Sequence, residues 1–281
     1  MIEVGIQVLP QYNKWPARLL GLESFKKEPR DISKILREYD TDKYKKYLEY
    51  LEANPALKFD DMRWFERGIS PDKEMCISMD KKLFVGKAGE VFAHHQDIFL
   101  EKMAPLMQEC DCVVELGAGF GHNLFLLQEK YPKHLYIGGE VSANGIELGK
   151  KLAKGNHVEF LPFNFYDEDW SIFEKTHGRK VLVLTYHAVE MIPKAEDFFL
   201  KLEKYKNNIV HVACFEPLYE SYSDDLLSLL RKAYINMNDY NTNFLSALKS
   251  SPSRWQSLAI TEDFFGANPL FPEAFIHWQF K

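Results

Sequence analysis

Apolar and polar positions along the chain fall into three regimes, and the middle one carries the fold. Between residues 81 and 218, short apolar runs alternate with amphipathic stretches. The runs 112–116, 134–139, 157–161, 180–185 and 208–215 have the length and side-chain content of strands. Between them, 121–131, 143–154 and 194–205 carry apolar residues at helical spacing. Residues 181–184 and 209–214 are apolar almost without interruption, as in strands covered on both faces. Strands alternating with helices of this length predict βαβ units, a parallel sheet and a doubly wound α/β layout.

The flanks read differently. Residues 1–80 are charged and aromatic, with helical stretches such as 31–52 and no strong strand alternation. A helical N-terminal extension is expected over 1–80, with the main domain over 81–281. Residues 86–107 read as the helix before the first sheet strand, placed to close over a ligand. In the tail, 224–234 is helix-like, and 258–264 and 274–280 are aromatic segments of strand length. The turn-rich Gly266-Ala267-Asn268-Pro269 between them predicts an antiparallel hairpin at the sheet edge.

Composition narrows the partners more than the fold. A chain of 281 residues with 46% hydrophobic residues can bury a sizeable core without staples. A net charge of −6 argues against a dedicated nucleic-acid binder, which would show a basic stripe. Cys76, Cys110, Cys112 and Cys214 form no CxxC pair and read as buried thiols of a reducing compartment. Residues 1–10 lack a basic-then-apolar leader, and the longest apolar runs are strand-sized. The expected location is cytoplasmic.

The informative segment is Val113-Val114-Glu115-Leu116-Gly117-Ala118-Gly119-Phe120-Gly121-His122-Asn123. An apolar strand enters a turn with glycines at alternate positions, and a helix follows. Such a turn lets backbone approach a ligand closely, and the helix start favours an anionic group. The dinucleotide fingerprint would require its third glycine at 122, where the chain has His122. The pattern E-x-G-x-G-x-G instead resembles motif I of the class I S-adenosylmethionine-dependent methyltransferases. That resemblance implies a seven-stranded Rossmann-like sheet with a C-terminal antiparallel hairpin. It also implies S-adenosylmethionine as cofactor, held by Glu115, Gly117, Ala118, Gly119, Gly121 and Asn123.

Further expectations follow from the resemblance, which covers roughly residues 85–215. Glu140, ending Tyr136-Ile137-Gly138-Gly139-Glu140-Val141, stands where the family binds the ribose hydroxyls, with Val141 beside it. Asn164 and Phe165 stand near the adenine position, although Asp is commoner there than Asn. Thr185 and Tyr186 end the fourth strand, where the family faces both cofactor and acceptor.

Methyl transfer needs alignment and, for some acceptors, a base. His187 is the first candidate, as base or as structural histidine; Glu190 would orient it, and Glu216 is a rim candidate. His94 and His95 are adjacent on a helix and point apart, whereas His94 and Asp97, three apart, could share an ion; no metal is expected. Asn123 and His122 are expected to cap their helix or touch the cofactor carboxylate. Trp64, Phe65, Tyr219, Tyr222, Trp278 and Phe280 read first as core.

The expected partner is a small polar acceptor methylated on oxygen or nitrogen: a sugar, an amide or a phosphorylated metabolite. A fainter similarity to methyltransferases of bacterial surface-polysaccharide pathways rests on residues 15–22 and 268–272. Paired acids for a polyamine do not stand out near His187, which argues against aminopropyl transfer. Thr185-Tyr186-His187-Ala188 replaces the Asn/Asp-Pro-Pro-aromatic motif of base-methylating enzymes, so a nucleic-acid substrate is disfavoured. A non-catalytic binding subunit and a protein or nucleic-acid methyltransferase are the alternatives.

Overall fold

The structure is a computed structural model and describes residues 1–154, 157–250 and 254–281. In chain order the strands and helices are β1 (Ile2–Val4), α1 (Leu9–Tyr12), α2 (Trp15–Leu19), α3 (Ile32–Ile35), α4 (Lys45–Ala53), α5 (Phe59–Arg67), β2 (Glu74–Met79), β3 (Lys82–Lys87) and α6 (Ala88–Met107). Then come β4 (Cys112–Leu116), α7 (His122–Lys130), β5 (Leu135–Glu140), α8 (Ala143–Leu152), β6 (Val158–Pro162) and β7 (Val181–Tyr186). The chain ends with α9 (Ala195–Glu203), β8 (Ile209–Glu216), α10 (Leu226–Asn238), α11 (Phe244–Lys249), β9 (Trp255–Phe265) and β10 (Glu273–Phe280).

Seven strands form one sheet in the order β6-β5-β4-β7-β8-β10-β9. The first five are parallel, and β10 runs antiparallel to both β8 and β9. Val113, Val114 and Leu116 are wholly buried because helices cover both sheet faces. Each such side chain contributes ~1.5–3 kcal/mol on burial. One apolar cluster joins Val114, Val183 and Trp278 to α9; the other joins Val113, Leu184 and Phe215 to α6 and α7. The order reverses between β4 and β7, and the crevice beyond their carboxyl ends is where open α/β sheets hold ligands. No described helix is long and apolar enough to cross a membrane.

The N-terminal 80 residues are not all helical, and no boundary falls at 80/81. β1, β3 and β2 form a second, three-stranded antiparallel sheet, in which β2 and β3 are a hairpin turning at Asp80-Lys81. Both turn residues have positive φ, 51° and 64°, the geometry of a tight hairpin turn usually signalled by Asn-Gly. Without a glycine the turn gave no signal, and Gly86-Lys87, expected to start a helix, lie in β3. The helix expected at 31–52 is real but not uniform: between α3 and α4, Leu36–Tyr44 winds as a wider π-helix.

Candidate active site

Two carboxylates mark the ends of adjacent strands. Glu115, in β4, is buried; Asn123 Nδ2 donates to its Oε1 at 2.7 Å, and its Oε2 has no hydrogen-bond partner. Burial pushes this carboxyl up to about 8. Asn123 thus serves Glu115 rather than capping α7; the cap position is Gly121. Glu140, the last residue of β5, accepts the Gly119 N–H on Oε2 and the Ser142 N–H on Oε1, both at 2.8 Å. The turn between them needs Gly117 and Gly119, at φ +81° and +56°, in the left-handed region. A side chain on Gly119 would also strike the Tyr44 hydroxyl.

These groups open into one cavity of about 790 Å³, whose lining includes Glu115, Gly117, Ala118, Gly119, Asn123, Glu140 and Val141. Asn164, Phe165, Tyr186, His187 and Glu190 line it as well. Gly121, Thr185 and Glu216 do not line it. Gly121 is where Phe160 packs against the turn, and Thr185 is fully buried. Glu216 is no rim residue: it is fully buried, and its oxygens accept the Ala188 and Glu190 N–H groups at 3.1–3.3 Å. It therefore fixes the loop that carries His187. The amide of Asn164 closes its own turn, its Oδ1 accepting the Tyr166 N–H at 3.0 Å.

The architecture around this cavity can be compared with known proteins. No protein-family model matches the chain, and no curated protein matches it in sequence. Among solved structures, the S-adenosylmethionine-dependent methyltransferase SibL in its apo form matches with a TM-score of 0.53 at 12% identity. That match covers 97% of this chain and 72% of SibL. This chain has the fold of the S-adenosylmethionine-dependent methyltransferases. Geranyl diphosphate C-methyltransferase from Streptomyces coelicolor A3(2), solved with Mg2+, geranyl diphosphate and S-adenosyl-L-homocysteine, is a more distant neighbour. It has a TM-score of 0.44 and 15% identity, covering 69% of this chain and 83% of that one.

On this methyltransferase fold, the tip of β7 carries a cluster of ionisable side chains. His187 has φ +50°, a strained value for a non-glycine, and its N–H donates to the Phe215 carbonyl at 3.0 Å. Its Nδ1 lies 3.4 Å from Glu190 Oε1 and its Nε2 lies 3.4 Å from Glu273 Oε2. Burial disfavours the imidazolium, but the two carboxylates outweigh it and hold His187 well above 6.5. The two carboxylates therefore favour its imidazolium form. Burial and Glu190 push Glu216 well above 4.5. Burial pushes the Glu190 carboxyl up as well, but Glu216 and His187 outweigh it and bring it below 4.5.

Several residues of this cavity were not singled out by the motif. Glu273, at the start of β10, also accepts from His95 of α6 at 2.9 Å, and the Tyr186 hydroxyl lies 2.8 Å from the same His95 Nε2. His95 stacks on Phe265, at 4.1 Å between centroids. The N-terminal segment supplies the rest. Asp40, on the π-helix, accepts from Ser142 Oγ at 2.7 Å and from the Asn144 N–H at 2.9 Å, holding that segment to the start of α8. Lys43 pairs with Glu66 at 2.8 Å, near His122, whose imidazole burial pushes down to about 4. π-helical turns recur at functional sites, and here the wider turn directs Tyr39, Lys43 and Tyr44 onto the cavity wall. Asn268, Pro269 and Phe271 line the cavity, and Asn13 Nδ2 donates to Asn268 Oδ1 at 2.9 Å, whereas residues 15–22 do not line it.

Proposed function

We propose that the protein is an S-adenosylmethionine-dependent methyltransferase acting on an oxygen or nitrogen of a small polar acceptor. One observation carries the reading. At the carboxyl ends of β4 and β5, two buried carboxylates and a glycine turn face one cavity, and the inner carboxylate oxygen, Glu115 Oε2, has no partner. A buried acceptor without a donor is costly unless a ligand supplies one.

The chemistry of the side chains fits the cofactor. Glu115 suits an ammonium group, and Glu140 retains lone pairs for a pair of hydroxyls after taking two backbone N–H groups. The first turn of α7 offers amide groups to a carboxylate. Phe163 and Phe165 supply aromatic faces near the end of β6. When bound, the cofactor supplies a sulfonium-activated methyl group.

The acceptor end lies at the tip of β7. His187, in its imidazolium form, donates hydrogen bonds to the acceptor. Glu190, held below 4.5 by Glu216 and His187 and 3.4 Å from the imidazole, is the carboxylate placed to receive a proton. Glu216 positions both through the backbone of residues 188–190. A chamber of about 790 Å³ walled by the N-terminal segment and the tail favours a small molecule.

Titration calorimetry with S-adenosylhomocysteine tests the proposal. Wild-type protein should bind it, and Glu140→Ala should weaken binding at least about tenfold, about 1.4 kcal/mol. Folded protein free of copurified cofactor that shows no binding would overturn the reading.

A further inference from the structure

The cavity is walled by several acids, and nearly every basic side chain on its wall faces one of them. Lys43 pairs with Glu66, His187 sits between Glu190 and Glu273, and His95 lies against Glu273. Among the described residues, Arg67 is the exception. It lines the same cavity, half-buried, with no ion-pair partner and no hydrogen-bond acceptor. The two acids whose charges act on it are committed elsewhere: Glu66 to Lys43 and Asp60 to Arg63, each at 2.8 Å.

Arg67 is also held in place. It is the last residue of α5, where Gly68 at φ +61° ends the helix. Its guanidinium carbon lies 3.9 Å from the Phe92 ring centroid and 4.6 Å from that of Trp64. Aromatic rings satisfy the face of a guanidinium and leave its edge N–H groups unused. Burial, together with the nearby Arg63 charge, pulls its pKa down to about 10. An incoming anion would relieve both effects.

We infer that Arg67 anchors a carboxylate or phosphate group of the methyl acceptor, which makes the acceptor a small anionic metabolite. The inference rests on the methyltransferase reading and names the substrate class of that site. Two features assign the anion to the acceptor rather than to the cofactor. The cofactor's own carboxylate has the first turn of α7 available to it. Arg67 instead shares a wall with Phe92 and, one helical turn further along α6, with His95, which bonds to Tyr186 at the tip of β7. The planar fork of a guanidinium matches either anion with two parallel hydrogen bonds.

The test titrates inorganic phosphate, at constant ionic strength, into protein saturated with S-adenosylhomocysteine, followed by tryptophan fluorescence because Trp64 adjoins Arg67. Wild type should show saturable binding, and Arg67→Gln should weaken it at least about tenfold while S-adenosylhomocysteine affinity stays within about twofold. Arg67→Lys, which keeps the charge but loses the fork, should fall between them and guards against misfolding of the glutamine variant. Equal phosphate affinity in Arg67→Gln, or no phosphate binding to wild type, overturns the inference. So does a tenfold loss of S-adenosylhomocysteine affinity in Arg67→Gln, which would assign Arg67 to the cofactor's carboxylate. Wild type that binds no S-adenosylhomocysteine refutes the methyltransferase reading instead, and phosphate titration of the ligand-free protein still reports on Arg67.

Discussion

Replacing Glu273 by Gln probes the charged hub at its centre. Glu273 is 2% exposed and touches His95 at 2.9 Å and His187 at 3.4 Å. Burial alone would raise its pKa, but the two histidines outweigh burial and bring it from 4.5 down to about 2. A depressed folded value means that the folded protein binds this proton less readily than the unfolded chain. The stabilisation is therefore complete above about 4.5 and disappears as the pH falls toward 2. At ~1.36 kcal/mol per pH unit, a fall from 4.5 to about 2 amounts to about 3 kcal/mol at pH 7, of which about 1 kcal/mol remains at pH 3. Gln keeps the shape and one acceptor oxygen, so comparison of the two proteins isolates the charge. Urea unfolding at both pH values should show a gap of about 3 kcal/mol at pH 7 that shrinks to about 1 kcal/mol at pH 3. His187 gives a second readout. Its raised value contributes stability that is present below 6.5 and lost as pH rises through the folded value, and in Glu273→Gln only Glu190 still supports it. NMR titration of the imidazole should then place its pKa lower than in wild type. A gap that is the same at pH 7 and pH 3, or smaller than about 0.5 kcal/mol at pH 7, refutes the reasoning.

Two further perturbations address the cofactor end and the N-terminal segment. Burial pushes Glu115 up to about 8, so its ionisation costs stability as pH rises from 4.5 toward 8. Glu115→Gln should gain on wild type across that range in thermal unfolding, and a constant difference would contradict the assignment. Asp40→Ala removes the acceptor for Ser142 Oγ and for the N–H and Nδ2 of Asn144. Losing these bonds should make opening of residues 36–44 easier by about 2 kcal/mol, seen as roughly thirtyfold faster amide exchange there. Exchange in β4 and β5 should stay unchanged, and uniform acceleration would mean that the bonds support the whole fold instead.

The parallel half of the sheet was legible because its strands carry their own signal. Val181–Leu184 and Ile209–Cys214 are apolar at nearly every position, since both of their faces are covered. The glycine turn was legible for a similar reason: Gly117 and Gly119 adopt φ values that other residues rarely take, so the backbone geometry is written into residue type. Glu140 followed only from the resemblance to the methyltransferase family, which has an acid at the end of the second strand. The β2–β3 hairpin was not legible, because Asp80-Lys81 adopts a glycine-like geometry without glycine. Nor was the change of pitch at Leu36–Tyr44, which composition does not mark.

The residues that give this site its character divide along the same line. The βαβ core and the glycine turn could be read from residue order, because each depends on neighbours a few positions away, and the family resemblance added Glu115 and Glu140. Packing between distant elements sets Glu273 between His187 and His95, the latter 178 positions away, and turns Glu216 inward to hold a loop. It alone left Arg67 without a partner on the cavity wall. Whether a charge is matched, buried or free depends on groups from separate elements meeting in space. Local patterns of polarity carry no record of those meetings, and the protonation of His187 is set by them rather than by its residue type.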